Sequence, residues 1–253
     1  MLELEQLAQR QLYDYDRHCP GTVFGEGLTI SMADAYRLQS LVADLRVARG
    51  ESLIGYKVGC TSPVIRQRLR AESPVFGRLF ATECLTSGSS VLADQFDHLA
   101  IEGELAVSLS RDINAHETNA QITEAIEAVF PVVELHNLIF RGAGGPSPEE
   151  LVANNAVHAG FVRAVGGPLR SKTTASLQID VDDHLTVSVE GDELIDTIFR
   201  SLRWISSCLE MHGAYLRAGQ TVLCGAVADL IPVTTGRIRV VTDHFGEVEC
   251  CAI

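Results

Sequence analysis

The chain has 253 residues, 46% of them hydrophobic and 21% charged, with 33 acidic against 20 basic side chains and a formal net charge of −13. That is enough apolar material for a core and argues against disorder, while the acidic balance, with no local Lys/Arg cluster, argues against nucleic acid and membrane surfaces as partners. No run approaches the roughly 20 uncharged apolar residues of a membrane-spanning helix, and the mixed-charge start lacks a secretory signal's apolar stretch, so the expected location is cytoplasmic.

In chain order, residues 3–18 and 32–48 carry apolar side chains at helical spacing, with Ser31 placed to cap the second run and Gly50 to end it. Between them, CPGTVFGEG has the composition of a loop. From residue 52 onward strand-like runs dominate: SLIGYKVG, ELAVSLS, VFPVVEL, HAGFVRAV, ASLQIDV, LTVSVEG, TVLCG, RIRVVT and VECCAI. Helical patterns return only at about 119–129 and 193–211. Asp182–Asp183 and the segment 243–246 read as hairpin turns, which require antiparallel pairing and disfavour a Rossmann sheet. The expected architecture is α+β: a helical segment over 1–50, then a strand-rich body over 51–253 forming a mixed, strongly curled β-roll. The seven cysteines are odd in number and lack ligand spacing, as expected of reduced thiols, most of them small core hydrophobes.

Chemistry concentrates in a few places. In IEGELAV, Glu102 and Glu104 stand at i and i+2 of an apolar strand, so both carboxylates share a face with Gly103 opposite. Two adjacent like charges call for a cation between them, or for an edge strand that turns both into water. Glu134, in the apolar run FPVVELHN, adds a third carboxylate that is expensive to bury alone. Three oxygen ligands from two strands suit Mg²⁺ or Mn²⁺; Glu134 could equally end its strand in solvent. Lys57, one of only two lysines, lies in LIGYKVG between Gly55 and Gly59, where a ligand or another backbone can approach. A buried lysine can move a proton near neutral pH, and a surface one simply snorkels. Residues 60–80 read as a loop-and-short-helix excursion able to act as a lid, with Glu72 its only acid. Asn154, Asn155 and His158 fall at a helix-to-strand transition, where polar groups could meet a substrate or simply be satisfied structurally.

Taken together, GYKVGCTSPV, SPVFGRLF, IEGELAV, VVELHN and NNAVHAGFV, in this order and spacing, resemble the fumarylacetoacetate hydrolase superfamily, most nearly its 2-keto-4-pentenoate hydratases and 4-oxalocrotonate decarboxylases. The likeness runs from the ADAYRLQ helix through LRAGQTVLCGA. It implies a β-roll with Mg²⁺ or Mn²⁺ held by Glu102, Glu104 and Glu134. It also places the family lysine at Lys57, to hold a substrate carboxylate or shuttle a proton. Glu72 is the candidate acid or base in the lid, and Asn155 and His158 are candidate substrate contacts. The implied substrate is a small anionic 2-oxo or 2-hydroxydienoic acid and the implied assembly a homo-oligomer. The expected reaction is hydration, with decarboxylation of an unsaturated 2-oxo diacid as the alternative. Hydrolytic carbon–carbon cleavage is disfavoured because the lid has no histidine, and a non-catalytic partner subunit is disfavoured by the intact carboxylates.

Overall fold

The computed structural model describes residues 3–169 and 175–253. The chain opens with helix α1 (Leu4–Asp16), the short α2 (Thr22–Gly25) and α3 (Met32–Ala48). The Ser31 side chain accepts a hydrogen bond from the Asp34 N–H, capping α3, and the helix stops before Gly50, which takes a left-handed conformation at φ 98°. Strand β1 (Leu53–Gly59) follows, then α4 (Pro63–Leu69), β2 (Val75–Phe80), β3 (Cys84–Thr86), β4 (Ser89–Val91) and the long β5 (Leu99–Leu109). Next come α5 (Asn119–Ala125), β6 (Ile126–Asn137), α6 (Pro148–Ala153), β7 (His158–Arg163), β8 (Ala175–Val181) and β9 (His184–Gly191). The chain closes with α7 (Glu193–Met211), β10 (Thr221–Leu223), β11 (Ile231–Pro232), β12 (Gly236–Thr242) and β13 (Glu247–Ala252).

Two expectations need correction. The lid segment is shorter than its composition implies: the excursion ends after α4, and Val75–Phe80 pairs antiparallel with β1 along its full length. Its mixed charges mask a strand because Arg78 points its guanidinium at the Gln39 and Ser40 side chains of α3 instead of at water. The helix at about 119–129 stops at Ala125, because Ile126, Val129 and Pro131 favour extended backbone and Ile126 already pairs with Leu109.

The larger sheet runs β2-β1-β10-β5-β6-β7-β3, with β11 also on β5, and is curled so that its β2 end meets β7. Only β1–β10 and β3–β7 are parallel in it. The smaller sheet runs β4-β13-β12-β8-β9 and contains both expected hairpins, turning at Asp182–Asp183 and at 243–246. The two sheets pack face to face at Gly103, where a Cβ would lie 2.7 Å from Ile179 and 3.0 Å from Val240. Only glycine permits that approach, and it commits the opposite face of β5, with Glu102 and Glu104, to the inside of the roll. Gly55 is likewise set by a neighbouring backbone, since its Cβ would meet the Thr221 carbonyl oxygen of β10.

Leu7, Ala8, Ala35 and Leu38 of α1 and α3 join the hydrophobic cluster that fills the roll. Cys208, Cys224 and Cys250 are buried in that core, but Cys19, Cys60 and Cys84 are half-buried and Cys251 is exposed, so fewer of the free thiols are core residues than composition suggests. Among the described residues no helix is long and apolar enough to cross a membrane.

Candidate metal centre

The register of β5 on β6 places Glu102 directly opposite Glu134, with Glu104 opposite Val132. Like charges in that relation are destabilising unless something positive lies between them. The surrounding strands supply part of it. Lys57 of β1, separated from β6 in the sheet by β10 and β5, reaches through the inside of the roll to bring Nζ within 3.3 Å of Glu134 Oε1. His136, two residues beyond Glu134 on the same face, brings Nε2 to 3.1 Å from Glu102 Oε2 and 3.5 Å from Glu134 Oε2. From β7, His158 pairs in register with His136, and its Nδ1 lies 2.6 Å from Glu134 Oε1. Glu134 Oε1 is thus held by Lys57 and His158, leaving Oε2 on the side of Glu102.

Burial makes this arrangement costly. Glu104 is 0% and Glu134 1% exposed, Lys57 and the two histidines are at most 3% exposed, and only Glu102, its side chain 18% exposed, reaches water. Burial, then the charge of Glu134 and a hydrogen bond with it, pushes the Glu104 carboxyl well above the usual range. Burial also opposes ionisation of Glu134, but Lys57 and then His136 and His158 outweigh it and hold that carboxyl well below its ordinary value. For Lys57 burial works against the ammonium, yet Glu134, Glu102 and Glu104 keep its pKa raised. His136 is pushed up to about 9, burial being outweighed by Glu134 and Glu102, whereas burial leaves His158 lowered.

Several buried atoms in this cluster lack hydrogen-bond partners among the described residues: Glu104 Oε1, both ring nitrogens of His136, and His158 Nε2. Native interiors leave few such atoms, and each costs on the order of 1–3 kcal/mol unless a ligand meets it. Glu102, Glu134 and His136 each offer a ligand atom, all within 4.8 Å of one another. Three carboxylates against one ammonium, with unsaturated donors facing inward, fit a divalent cation.

The expected residues fare unequally. Lys57, Glu102, Glu104 and Glu134 converge on one face, as does His158, which contacts Glu134. Glu104 stands apart from the three-residue ligand group, its Oε2 accepting a short hydrogen bond from the Gly225 N–H. Asn155 sits at the seam of the roll: its Oδ1 accepts from the Arg78 N–H at 2.7 Å and its Nδ2 donates to the Arg78 carbonyl at 2.9 Å. Its amide therefore joins β2 to the β7 side, and Asn155, Ala156 and Val157 all hold φ between 52° and 54°, an unusual conformation for a β-branched residue. Glu72 is exposed between α4 and β2 and lines neither of the two main cavities. Those cavities, of about 670 and 550 Å³, lie beside the N-terminal helices and beside α7; Asn155 and His158 line the first, and none of the three carboxylates lines either. Access to the cluster is at Glu102.

His136 is the participant that sequence reasoning passed over. It stands two residues after Glu134, the same period-two spacing that put Glu102 and Glu104 together.

No family model matches the chain. It is 28% identical over 227 residues, 85% of this chain and 83% of the relative, to 2-keto-4-pentenoate hydratase 1 of Dechloromonas aromatica (strain RCB). It superposes with a TM-score of 0.88 and 22% identity, over 100% of this chain and 99% of the other, on 4-oxalocrotonate decarboxylase from Pseudomonas putida G7 complexed with magnesium and adipate. Fumarylpyruvate hydrolase from Pseudomonas aeruginosa in complex with Mn²⁺ and pyruvate gives a TM-score of 0.62 at 16% identity, over 79% of this chain and 89% of that one. At these identities the superpositions speak for the fold.

Proposed function

The chain belongs to the fumarylacetoacetate hydrolase superfamily, in the group of 2-keto-4-pentenoate hydratases and 4-oxalocrotonate decarboxylases, and on that premise we propose that it hydrates a 2-hydroxypenta-2,4-dienoate-type acid. It is a metal-dependent lyase. The observation that carries a metal-dependent reading is the in-register pairing of Glu102 with Glu134 on the inner face of the roll, beside the Lys57 ammonium and buried donor atoms without partners among the described residues.

Glu102, Glu104 and Glu134 would hold Mg²⁺ or Mn²⁺. When bound, the cation supplies positive charge and Lewis acidity to the 1-carboxylate and 2-oxygen of the acid. A protein at −13 repels such an anion at long range, so the site must provide its own local positive charge. Lys57 Nζ, kept protonated by the surrounding carboxylates, binds the substrate carboxylate, and as an ammonium it can give a hydrogen bond or a proton to the 2-oxygen. In hydration the 2-hydroxyl gives its proton to water as the diene takes one up at C5, and water then adds its hydroxyl at C4 and its hydrogen at C3. His158 fixes Glu134 Oε1 so that the carboxylate keeps one orientation. Asn155 acts indirectly, by holding β2 against the β7 side. The free cysteines fit a reducing cytoplasm, and a homo-oligomer is the assembly this reading carries with it.

Decarboxylation of an unsaturated 2-oxo diacid is the second reading, supported by the match in fold to the decarboxylase across the full chain. A panel of 2-hydroxydienoic acids and 2-oxo diacids, assayed with Mg²⁺ and with Mn²⁺, separates the two. Loss of the dienoate ultraviolet band without carbon dioxide release is the expected result, carbon dioxide from a diacid selects the second reading, and no turnover of any member contradicts both.

A further inference from the structure

His136 has no role in the reading above, yet its position is unusual. The imidazole is 2% exposed, and neither nitrogen has an aligned hydrogen-bond partner among the described residues. Nε2 nevertheless lies 3.1 Å from Glu102 Oε2 and 3.5 Å from Glu134 Oε2, close enough for hydrogen bonds but without their direction. Donor atoms that share one ion show this pattern: they crowd together and aim at a common centre. With bonds of ~2.1 Å, neighbouring donors of an octahedral ion stand ~3 Å apart.

The backbone places the ring there. His136 faces Ala100 across β5, so a methyl group, not a bulky side chain, stands opposite, and Glu102 is its diagonal neighbour on the same face. A bulge between Leu135 and His136 shifts the pairing onto His158. Glu134 Oε1 is occupied by Lys57 and His158, which leaves the Oε2 atom that faces His136 free to bind a cation.

We propose that His136 Nε2 is a ligand of the bound cation together with Glu102 and Glu134, and that this nitrogen tunes the site toward transition-metal ions and away from Mg²⁺. Mg²⁺ prefers oxygen donors and gains little from imidazole, whereas Mn²⁺ and more strongly Co²⁺ accept it. The inference rests on the metal reading of the preceding subsection and assigns it one further donor.

The test uses the full-length protein loaded with Mn²⁺ or Co²⁺. Electron spin-echo spectra of the Mn²⁺-loaded wild type should show ¹⁴N modulation from a coordinated imidazole, and His136→Gln should lose it. By calorimetry, wild type should bind Co²⁺ and Mn²⁺ tenfold or more tighter than Mg²⁺, and His136→Gln should lose most of that preference while its Mg²⁺ affinity changes less than threefold. Absence of ¹⁴N modulation in Mn²⁺-loaded wild type overturns the proposal, and this needs no variant to fold. An unchanged Co²⁺/Mg²⁺ ratio in folded His136→Gln does the same. Wild type that binds none of the three ions overturns the metal reading along with it, whereas binding without a nitrogen ligand leaves that reading standing.

Discussion

Arg46 and Lys57 are each 3% exposed, but their surroundings are built to different ends. Arg46 of α3 donates from Nε at 3.0 Å and Nη2 at 2.6 Å to Glu51, and from Nη1 at 2.8 Å to Glu83, with its guanidinium 3.7 Å over the Phe80 ring. Thr82 adds a hydroxyl to Glu51 at 2.9 Å, so all three guanidinium nitrogens have acceptors and the plane of the group has a face to lie on. Lys57 has one ion-pair partner among the described residues, Glu134 at 3.3 Å, in a buried cluster with unpartnered oxygen and nitrogen atoms. The first cluster pins the N-terminal helices to the roll, and every nitrogen of its cation is paired, with Glu83 Oε2 the one buried atom there without a partner among the described residues. The second is incomplete, and the missing partner is what a cation and an anionic substrate would provide.

The sharpest way to break the contrast is Lys57→Met, expected to lower turnover about 10³-fold in the ultraviolet assay with the circular dichroism spectrum retained. A near-normal rate would make the lysine structural, like Arg46. Conversely, Arg46→Met should cost about 3–5 kcal/mol in urea unfolding, because it leaves the Glu51 carboxylate without its main cation and the buried Glu83 without a donor, while the rate per folded molecule stays within about twofold. The acid limb of stability sharpens the same point. Burial opposes ionisation of Glu51, but Arg46, Thr82 and Arg49 overcome it and hold the carboxyl down to about 2. A lowered pKa means stability that is present above the ordinary carboxylate range and lost as pH falls from about 4.5 to about 2, amounting to roughly 3 kcal/mol. Arg46→Met should remove most of that pH dependence. Gly103→Ala, with its methyl pressed on Ile179, should cost about 1–3 kcal/mol, and a cost near zero would mean the sheets pack less closely at β5 than described.

Much of the roll was legible because its strands alternate or run apolar and its hairpins carry turn residues at 182–183 and 243–246. Glu102, Glu104 and Lys57 were legible for a physical reason: charge inside an apolar run is expensive and so draws notice. Val75–Phe80 was not, because its arginine is satisfied by α3 from far along the chain, a contact no local pattern shows. His136 was hidden differently: a histidine in an apolar run is not anomalous, and its importance appears only when the register brings Glu102 alongside. Asn155 stood out because a polar side chain at a helix-to-strand junction has no local partner; its amide bonds the backbone of a strand 77 residues earlier, a contact no local pattern shows.

The central claim is that the Glu102–Glu134 face is completed by a divalent cation. Its most direct test is the melting temperature of metal-stripped protein titrated with Mn²⁺, alongside Glu102→Gln. Ligation of the folded state at a hundredfold excess over Kd adds about 2.7 kcal/mol, or about 5–10 °C for a chain of this size. Wild type is expected to show that rise and Glu102→Gln little or none. No rise in wild type, or an equal rise in the variant, would contradict the claim.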